Sequence, residues 1–375
     1  MKKICYLAIT AAALMCSCGA RSQQEFHPAV VDSVSERDAD TLAVPDTLTF
    51  AMVGDIMMGT TYPEEPAGAY LPADSGRHLF DDAVAVLRRA DLALGNQEGV
   101  LLDGPGERRR PGRNPKTYFV FRTPTDMVRN LVDAGIDFMG MANNHVNDFG
   151  ESGRLSTMKT LREAGIAYAG LKGRCEVAVL ECSGLKIAVT QFSHGMGTLD
   201  INSISELQRV VRQMRDTADL VVVAFHGGAE GTGHLHVPHA AETYVGEARG
   251  NVERFAHAAI DAGAALVYGH GPHVPRAAEL YKGHFIIYSL GNFCTPYRMG
   301  IAGYTGLAPI AEVKIDPYTG RFLSGRIHSL RQQRGIGPRL DATNGAATLI
   351  SSLSREDFPA SPLRISGDGE MSVAL

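Results

Sequence analysis

The chain has 375 residues, of which 45% are hydrophobic and 21% charged, with 41 Gly and no Trp. That balance excludes a disordered or fibrous chain and leaves a globular protein long enough for one large α/β domain or two average ones. The formal net charge of -5 speaks against a general nucleic-acid binder, which carries a basic balance, so no nucleic-acid partner is expected.

In chain order, the first segment stands apart from the fold. Lys2 and Lys3 precede the apolar run YLAITAAALM and then CSCGA, the layout of a secretory signal. The run is too short to span a membrane as a helix. With Ser17 before Cys18 and Leu14 upstream, the boundary resembles a bacterial lipoprotein signal, which makes 1–17 the signal peptide and Cys18 the lipid anchor. Cys16 fits less well, because Met15 precedes it where a small residue is expected. Residues 18–46 are polar and without a sustained period, and read as a tether. Of the remaining cysteines, Cys175, Cys182 and Cys294, an odd number gives no disulfide framework.

From Leu48 the pattern turns regular. TLTFAMVGD reads as a strand ending on Asp55, FDDAVAVLRRA as a helix, and DLALGNQEG as a strand ending at Asn96 to Glu98. The alternation continues through TPTDMVRNLVDAG (helix), IDFMGMANNH (strand into loop), GRLSTMKTLREAG (helix) and IAYAG (short strand). CEVAVLECSGLKIAVTQF reads as two strands about a Ser-Gly turn. ISELQRVVRQMRDTA then leads into the strand of DLVVVAFHGGAE, and NVERFAHAAIDAG into that of AALVYGHGPH. Two hairpins close the series: RAAELYKGHFIIYSLGNF, and LAPIAEVKIDPYTGRFLSGRIHSL with DPYTG as its turn. The alternating part predicts a largely parallel sheet covered on both faces, and the late hairpins a second sheet packed on it. One domain over 47–330 is expected, with 331–375 as a C-terminal extension packing on it or trailing it.

The chemistry collects where the strands end. Asp55, Asn96 with Glu98, Asn144 with His145, His226, and His270 with His273 each follow an apolar strand run. In α/β sheets ligands bind beyond the carboxyl ends of the strands, and five such ends presenting carboxylate, amide or imidazole point to a metal site. Imidazole and carboxylate suit zinc, iron or manganese. Two ions held by a bridging carboxylate would activate water and clamp a displacement at phosphorus or a carbonyl. In GHGPH, glycine lets backbone pass close to the site and Pro272 stiffens the turn.

Six ordered motifs carry a resemblance: GDIMMG (54–59), GNQEG (95–99), NNH (143–145), FHGGAE (225–230), GHGPHV (269–274) and YSLGNF (288–293). Together they resemble the CapA family, the poly-γ-glutamate capsule synthesis proteins of the metallophosphoesterase-like superfamily, over about Thr47 to Leu330. The resemblance implies a single-domain α/β/β/α sandwich of two sheets. It also implies that Asp55, Glu98 and His273 hold one divalent ion, that Asn144, His226 and His270 hold a second with Glu98 bridging, and that His145 is the catalytic acid. The chain departs from the phosphoesterase pattern at Met57, where that pattern has a histidine, and at Glu98, where it has an aspartate, so one or two ions are expected.

Weaker features surround this set. Seven of the 13 His fall between 226 and 273, and His234, His236 and His239 cluster in GTGHLHVPH, as a solvated loop or a pocket lining. Asn96, Glu230 and GEARGN (246–251) sit on the same face as candidate substrate contacts, with a helix start as the other role for Asn251. GERRRPGRNPK (106–116) sets Arg108, Arg109, Arg110, Arg113 and Lys116 in one loop, which can draw in a polyanion. The sequence reading is therefore a lipid-anchored cell-envelope protein of anionic polymer biosynthesis or export. It would be a metal-dependent hydrolase or transferase acting on phosphoester or amide bonds. Its partners would be the polymer or its phosphorylated or amide-linked precursor, a membrane-bound synthase or exporter, and the membrane itself. The competing readings are a non-catalytic polymer-binding or synthase-accessory lipoprotein using the same cleft, and a plain secreted phosphodiesterase.

Overall fold

The computed structural model describes residues 29–30, 44–64, 68–108 and 119–374. The signal peptide, Cys18 and most of the tether lie outside the described residues, as do Arg109, Arg110, Arg113 and Lys116. Two mixed sheets stack face to face. One runs in the order 363–365, 370–373, 322–328, 310–315, 48–56, 92–97, 138–140, 167–169; the other runs 29–30, 177–182, 185–193, 220–226, 266–270, 284–287, 278–281.

Alternation along the strands builds three apolar layers. Leu48, Phe50, Met52, Leu92 and Leu94 from one sheet meet Ile187, Val189, Val222, Ala224, Leu266 and Tyr268 from the other in a shared inner core. Residues of opposite parity, such as Ala51, Val53, Val221 and Val223, face outward. There they pack under helices that include Val128–Ala134 and Gly150–Glu163 on one side, and Ile204–Arg215 and Val252–Ala262 on the other. The amphipathic Ile204–Arg215 helix buries Leu207, Val210, Val211 and Met214, and Ser203 caps it by accepting from the Glu206 N–H. The result is the expected α/β/β/α sandwich.

The division of strands between the sheets differs from the expectation of an early parallel sheet and a late antiparallel one. Each sheet has its own parallel half: 48–56, 92–97, 138–140 and 167–169 in one, and 185–193, 220–226, 266–270 and 284–287 in the other. The late hairpins extend both sheets, 278–287 on one and 310–328 on the other. Hydrophobic alternation specifies which face a strand buries but not which neighbour it pairs with, and both arrangements satisfy it. Residues 331–374 are built into the sandwich: the Gly345–Asp357 helix adds Ala347 and Ile350 to the inner core, and Glu370–Val373 pairs with Phe322–His328. Among the described residues no helix is long and apolar enough to cross a membrane.

Candidate metal centre

The two parallel halves place their carboxyl ends together. Ser193, His226 and His270 lie side by side in register across one sheet, and Asp55, Asn96 and Gly140 across the other. Strand parity explains most of the inward aim: Asn96 continues Leu92 and Leu94, His226 continues Val222 and Ala224, and His270 continues Leu266 and Tyr268. Asp55 is out of phase with Met52. The register shifts by one residue between Met52 and Asp55, a bulge that turns the carboxylate onto the inner face.

At the centre, the Asn96 Nδ2 amide donates to Asp55 Oδ1 at 2.8 Å and to Glu98 Oε2 at 2.9 Å. Asn96 Oδ1 accepts from Asn143 at 3.1 Å and from Gln191, on the opposite sheet, at 2.9 Å. Asn96 is fully buried with both polar atoms engaged inside the protein, where its amide orients the two carboxylates. His273 Nδ1 lies 2.8 Å from Asp55 Oδ2 and 3.0 Å from Asn292 Oδ1. Its backbone is left-handed at φ 57°, and Gly271 before it takes φ 115°. A Cβ on Gly271 would lie 2.6 Å from the Gly227 carbonyl oxygen, which is why the turn carries glycine there.

Burial pushes the Glu98 carboxyl up to about 7, and the charge of Asp55 adds to it. Burial also raises Asp55, but the imidazoles of His270 and His273 outweigh it and hold that carboxyl far below the usual range. Burial works against a charged His273, yet the hydrogen bond and charge of Asp55 push it up to about 10. His226 is held well below its ordinary value, first by burial.

These residues fit a bound cation. An oxygen of Asp55, an oxygen of Glu98 and a nitrogen of His226 all lie within 4.8 Å of one another. Among the described residues, both ring nitrogens of His226 and of His270, together with Glu98 Oε1 and Asn144 Oδ1, are buried without a hydrogen-bond partner. Buried polar groups are ordinarily satisfied, and unpaired imidazole and carboxylate atoms around two buried acids are what a metal ion satisfies. His270 Nδ1 is 3.4 Å from Asp55 Oδ1. His145 stands at the side: its Nδ1 is 2.8 Å from Asp148 Oδ2, its Nε2 is 3.8 Å from Glu98 Oε1, and its ring packs on Phe121 at 4.5 Å.

The other candidate contacts have partners within the protein, and the charge of Glu230 also acts to raise His273. Glu230 is 2.7 Å from Arg249, and Arg108 bonds the Tyr62 hydroxyl. His236 and His239 tie their loop to Asp357 and Glu253, and Asn251 caps a helix by accepting from the Arg254 N–H. Sequence reasoning passed over Gln191, Asp148 and His194. The signal was present for two of them, since QFSH ends an apolar strand run as FHGG and GHGP do. The His194 side chain is largely covered, its ring is 6.2 Å from that of His226, and a cavity of about 520 Å³ beside it is lined by Lys172, Asp200, Asn202 and Glu247.

Residues 49–297 match the family model described as Bacterial capsule synthesis protein PGA_cap. The chain is 28% identical over 267 residues to a capsule biosynthesis protein CapA of Bacillus anthracis, covering 66% of this chain and 60% of that one. It is 27% identical over 263 residues to the PGA biosynthesis protein CapA of Bacillus subtilis, covering 66% and 63%. It thus spans less than two thirds of the length of either relative. It is 26% identical over 351 residues to a probable polyglutamine synthesis accessory protein of Mycobacterium tuberculosis, covering 77% and 86%. Among solved structures it is similar to a novel phosphatase from Mycoplasma pneumoniae at 16% identity and TM-score 0.48, covering 79% of this chain and 95% of that one. It is also similar to a calcineurin-like phosphoesterase from Bacillus subtilis at 11% identity and TM-score 0.45, covering 84% and 98%.

Proposed function

The chain belongs to the bacterial capsule synthesis protein family, and from that premise we propose that it serves the making or export of an anionic envelope polymer of the poly-γ-glutamate type, as a metal-dependent hydrolase or transferase of phosphoester or amide bonds. The observation that carries the chemistry is the set of unpartnered nitrogens on His226 and His270 beside Asp55 and Glu98. Asp55, Glu98 and His226 would hold a divalent ion, with Asn144, His270 and His273 around it, and the mixed imidazole and carboxylate donors suit manganese, zinc or iron. When bound, such an ion lowers the pKa of water and polarises a phosphoryl or carbonyl oxygen.

The chain's own residues supply the remainder. Asn96 keeps the two carboxylates apart and oriented. Asp148 accepts from His145 Nδ1–H, which leaves Nε2 turned toward Glu98 and placed to pass a proton to a leaving group. One observation favours the non-catalytic alternative: Met57, where the phosphoesterase pattern has histidine, is fully buried and offers only a thioether. Metal analysis of the purified protein, beside turnover assays on phosphoesters and γ-glutamyl amides, decides between them. His145→Ala is expected to keep its metal and lose roughly 10² to 10⁴ in rate. Bound metal with no turnover, and polymer production unchanged in His145→Ala, would establish the accessory role.

The envelope setting rests on lipidation of Cys18, which would tether the domain to a membrane near its synthase or exporter. Cys18→Ala should move the protein to the soluble fraction, since acyl chains supply most of such a protein's membrane affinity; a variant that stays membrane-bound would remove the anchor.

A further inference from the structure

The loop after the Asn292–Cys294 strand carries a cation, Arg298, that has no counterion among the described residues. Arg298 is half-buried and left-handed at φ 61°, a conformation that a non-glycine residue keeps only where its surroundings impose it. Its guanidinium lies 5.1 Å from the Tyr70 ring centre and 5.8 Å from that of Phe119, both within cation–π range. Its Nε is buried with no hydrogen-bond partner, and among the described residues no carboxylate pairs with it.

Three segments that leave the candidate metal centre converge on this guanidinium. Its own loop folds back onto Asn292, which donates to the Gly300 and Thr305 carbonyls at 3.3 and 3.4 Å while its Oδ1 meets His273. Tyr70 is tied through its carbonyl to the Thr60 N–H at 2.9 Å, on the segment that continues from Asp55. Phe119 lies just before Phe121, whose ring packs on His145 and whose N–H donates to Asp148.

A guanidinium flanked by aromatic rings and left with unmatched donors is suited to an oxyanion, because its planar fork presents paired N–H groups to two oxygens. We propose that Arg298 is a substrate-recognition residue that receives an oxyanion at the margin of the metal centre, either a carboxylate of an acidic chain or the phosphoryl group of a precursor. This rests on the functional reading above and deepens it by naming the chemistry of the group recognised.

The test measures binding of glutarate and of inorganic phosphate to the full chain by calorimetry, with chelator present so that metal plays no part. Arg298→Gln is expected to weaken the recognised probe roughly ten- to a hundredfold, the worth of a lost charge-assisted hydrogen bond, with the melting temperature near wild type. Arg298→Lys should fall between, because it keeps the charge and loses the fork. Loss confined to glutarate identifies the carboxylate as the source, and loss confined to phosphate identifies the phosphoryl group. Wild-type affinity for both probes in Arg298→Gln, or no binding of either probe by the wild type, overturns the proposal. Should Arg298→Gln fail to fold, unchanged affinity in Arg298→Lys overturns it equally. A protein that takes up no metal yet loses probe binding in Arg298→Gln would sink the metal reading and leave this one standing.

Discussion

One amide nitrogen on Asn96 donates to two buried carboxylates that repel one another, so the geometry of the centre depends on whatever holds that amide in place. Gln191 is part of the answer, reaching across from the opposite sheet to donate to Asn96 Oδ1. Gly140 makes room for it: a Cβ there would lie 1.5 Å from Gln191 Oε1. Gly140→Ala must therefore expel the Gln191 side chain and is expected to cost about 1–3 kcal/mol, the usual range for overpacking a core. It should also reduce metal uptake, because Asn96 loses a donor. Adding Gln191→Ala should restore much of the stability but not the uptake, a non-additivity that urea denaturation of both variants reads directly. Equal stability of Gly140→Ala and wild type would show that the two residues are not in contact. Gln191 closes an apolar strand run and so was open to notice, whereas its fit against Gly140 was not, because that contact exists only once the partner sheet is in place.

At the scale of elements, the hairpin of Ile310–Ile315 and Phe322–His328 was readable from its DPYTG turn and alternating strands, whereas its place beside Leu48–Ile56 was not. Its outer face carries a charge cluster in which Glu312 meets His328 at 2.7 Å and also binds Arg89. The hydrogen bond from His328 lowers the Glu312 carboxyl to about 2, with Arg89 adding to it against the opposing effect of burial. A carboxyl whose folded pKa is depressed contributes stability above its unfolded value of 4.5, and that contribution fades as pH falls from there toward 2. Wild type is therefore expected to exceed Glu312→Gln in stability near neutral pH, with the gap narrowing between about pH 4.5 and pH 2. Denaturation midpoints of the two proteins across that range check it, and a gap independent of pH would mean that the cluster makes no titrating contribution. The Met52–Asp55 bulge is the other feature of this scale that lay beyond reading: strict alternation puts Asp55 on the wrong face, and only the register with Leu92–Gln97 reveals the extra residue.

Across the whole molecule, the candidate centre straddles the seam between the sheets, with Asp55, Asn96 and Glu98 on one side and Gln191, His226 and His270 on the other. Most of that set was legible because parallel strands deliver their carboxyl ends to one edge, so each polar residue that follows an apolar run has the same address. The pairing of the two edges was not legible, since it depends on which faces the sheets bury against each other. Metal that binds the seam must therefore stabilise the entire sandwich, by about 2.7 kcal/mol at a free concentration a hundredfold above its dissociation constant. His226 separates this effect from ordinary packing, because among the described residues neither of its ring nitrogens makes a hydrogen bond. In chelator, His226→Ala should lose only what removal of a buried ring costs. With manganese, zinc or iron added, wild type should rise in melting temperature while the variant stays close to its chelated value, so that most of the difference between them appears only with metal. Differential scanning calorimetry with and without chelator, on both proteins, reads all four states. A melting temperature that responds to metal equally in wild type and His226→Ala would exclude His226 from the centre, and no response in either would mean that the seam holds no ion.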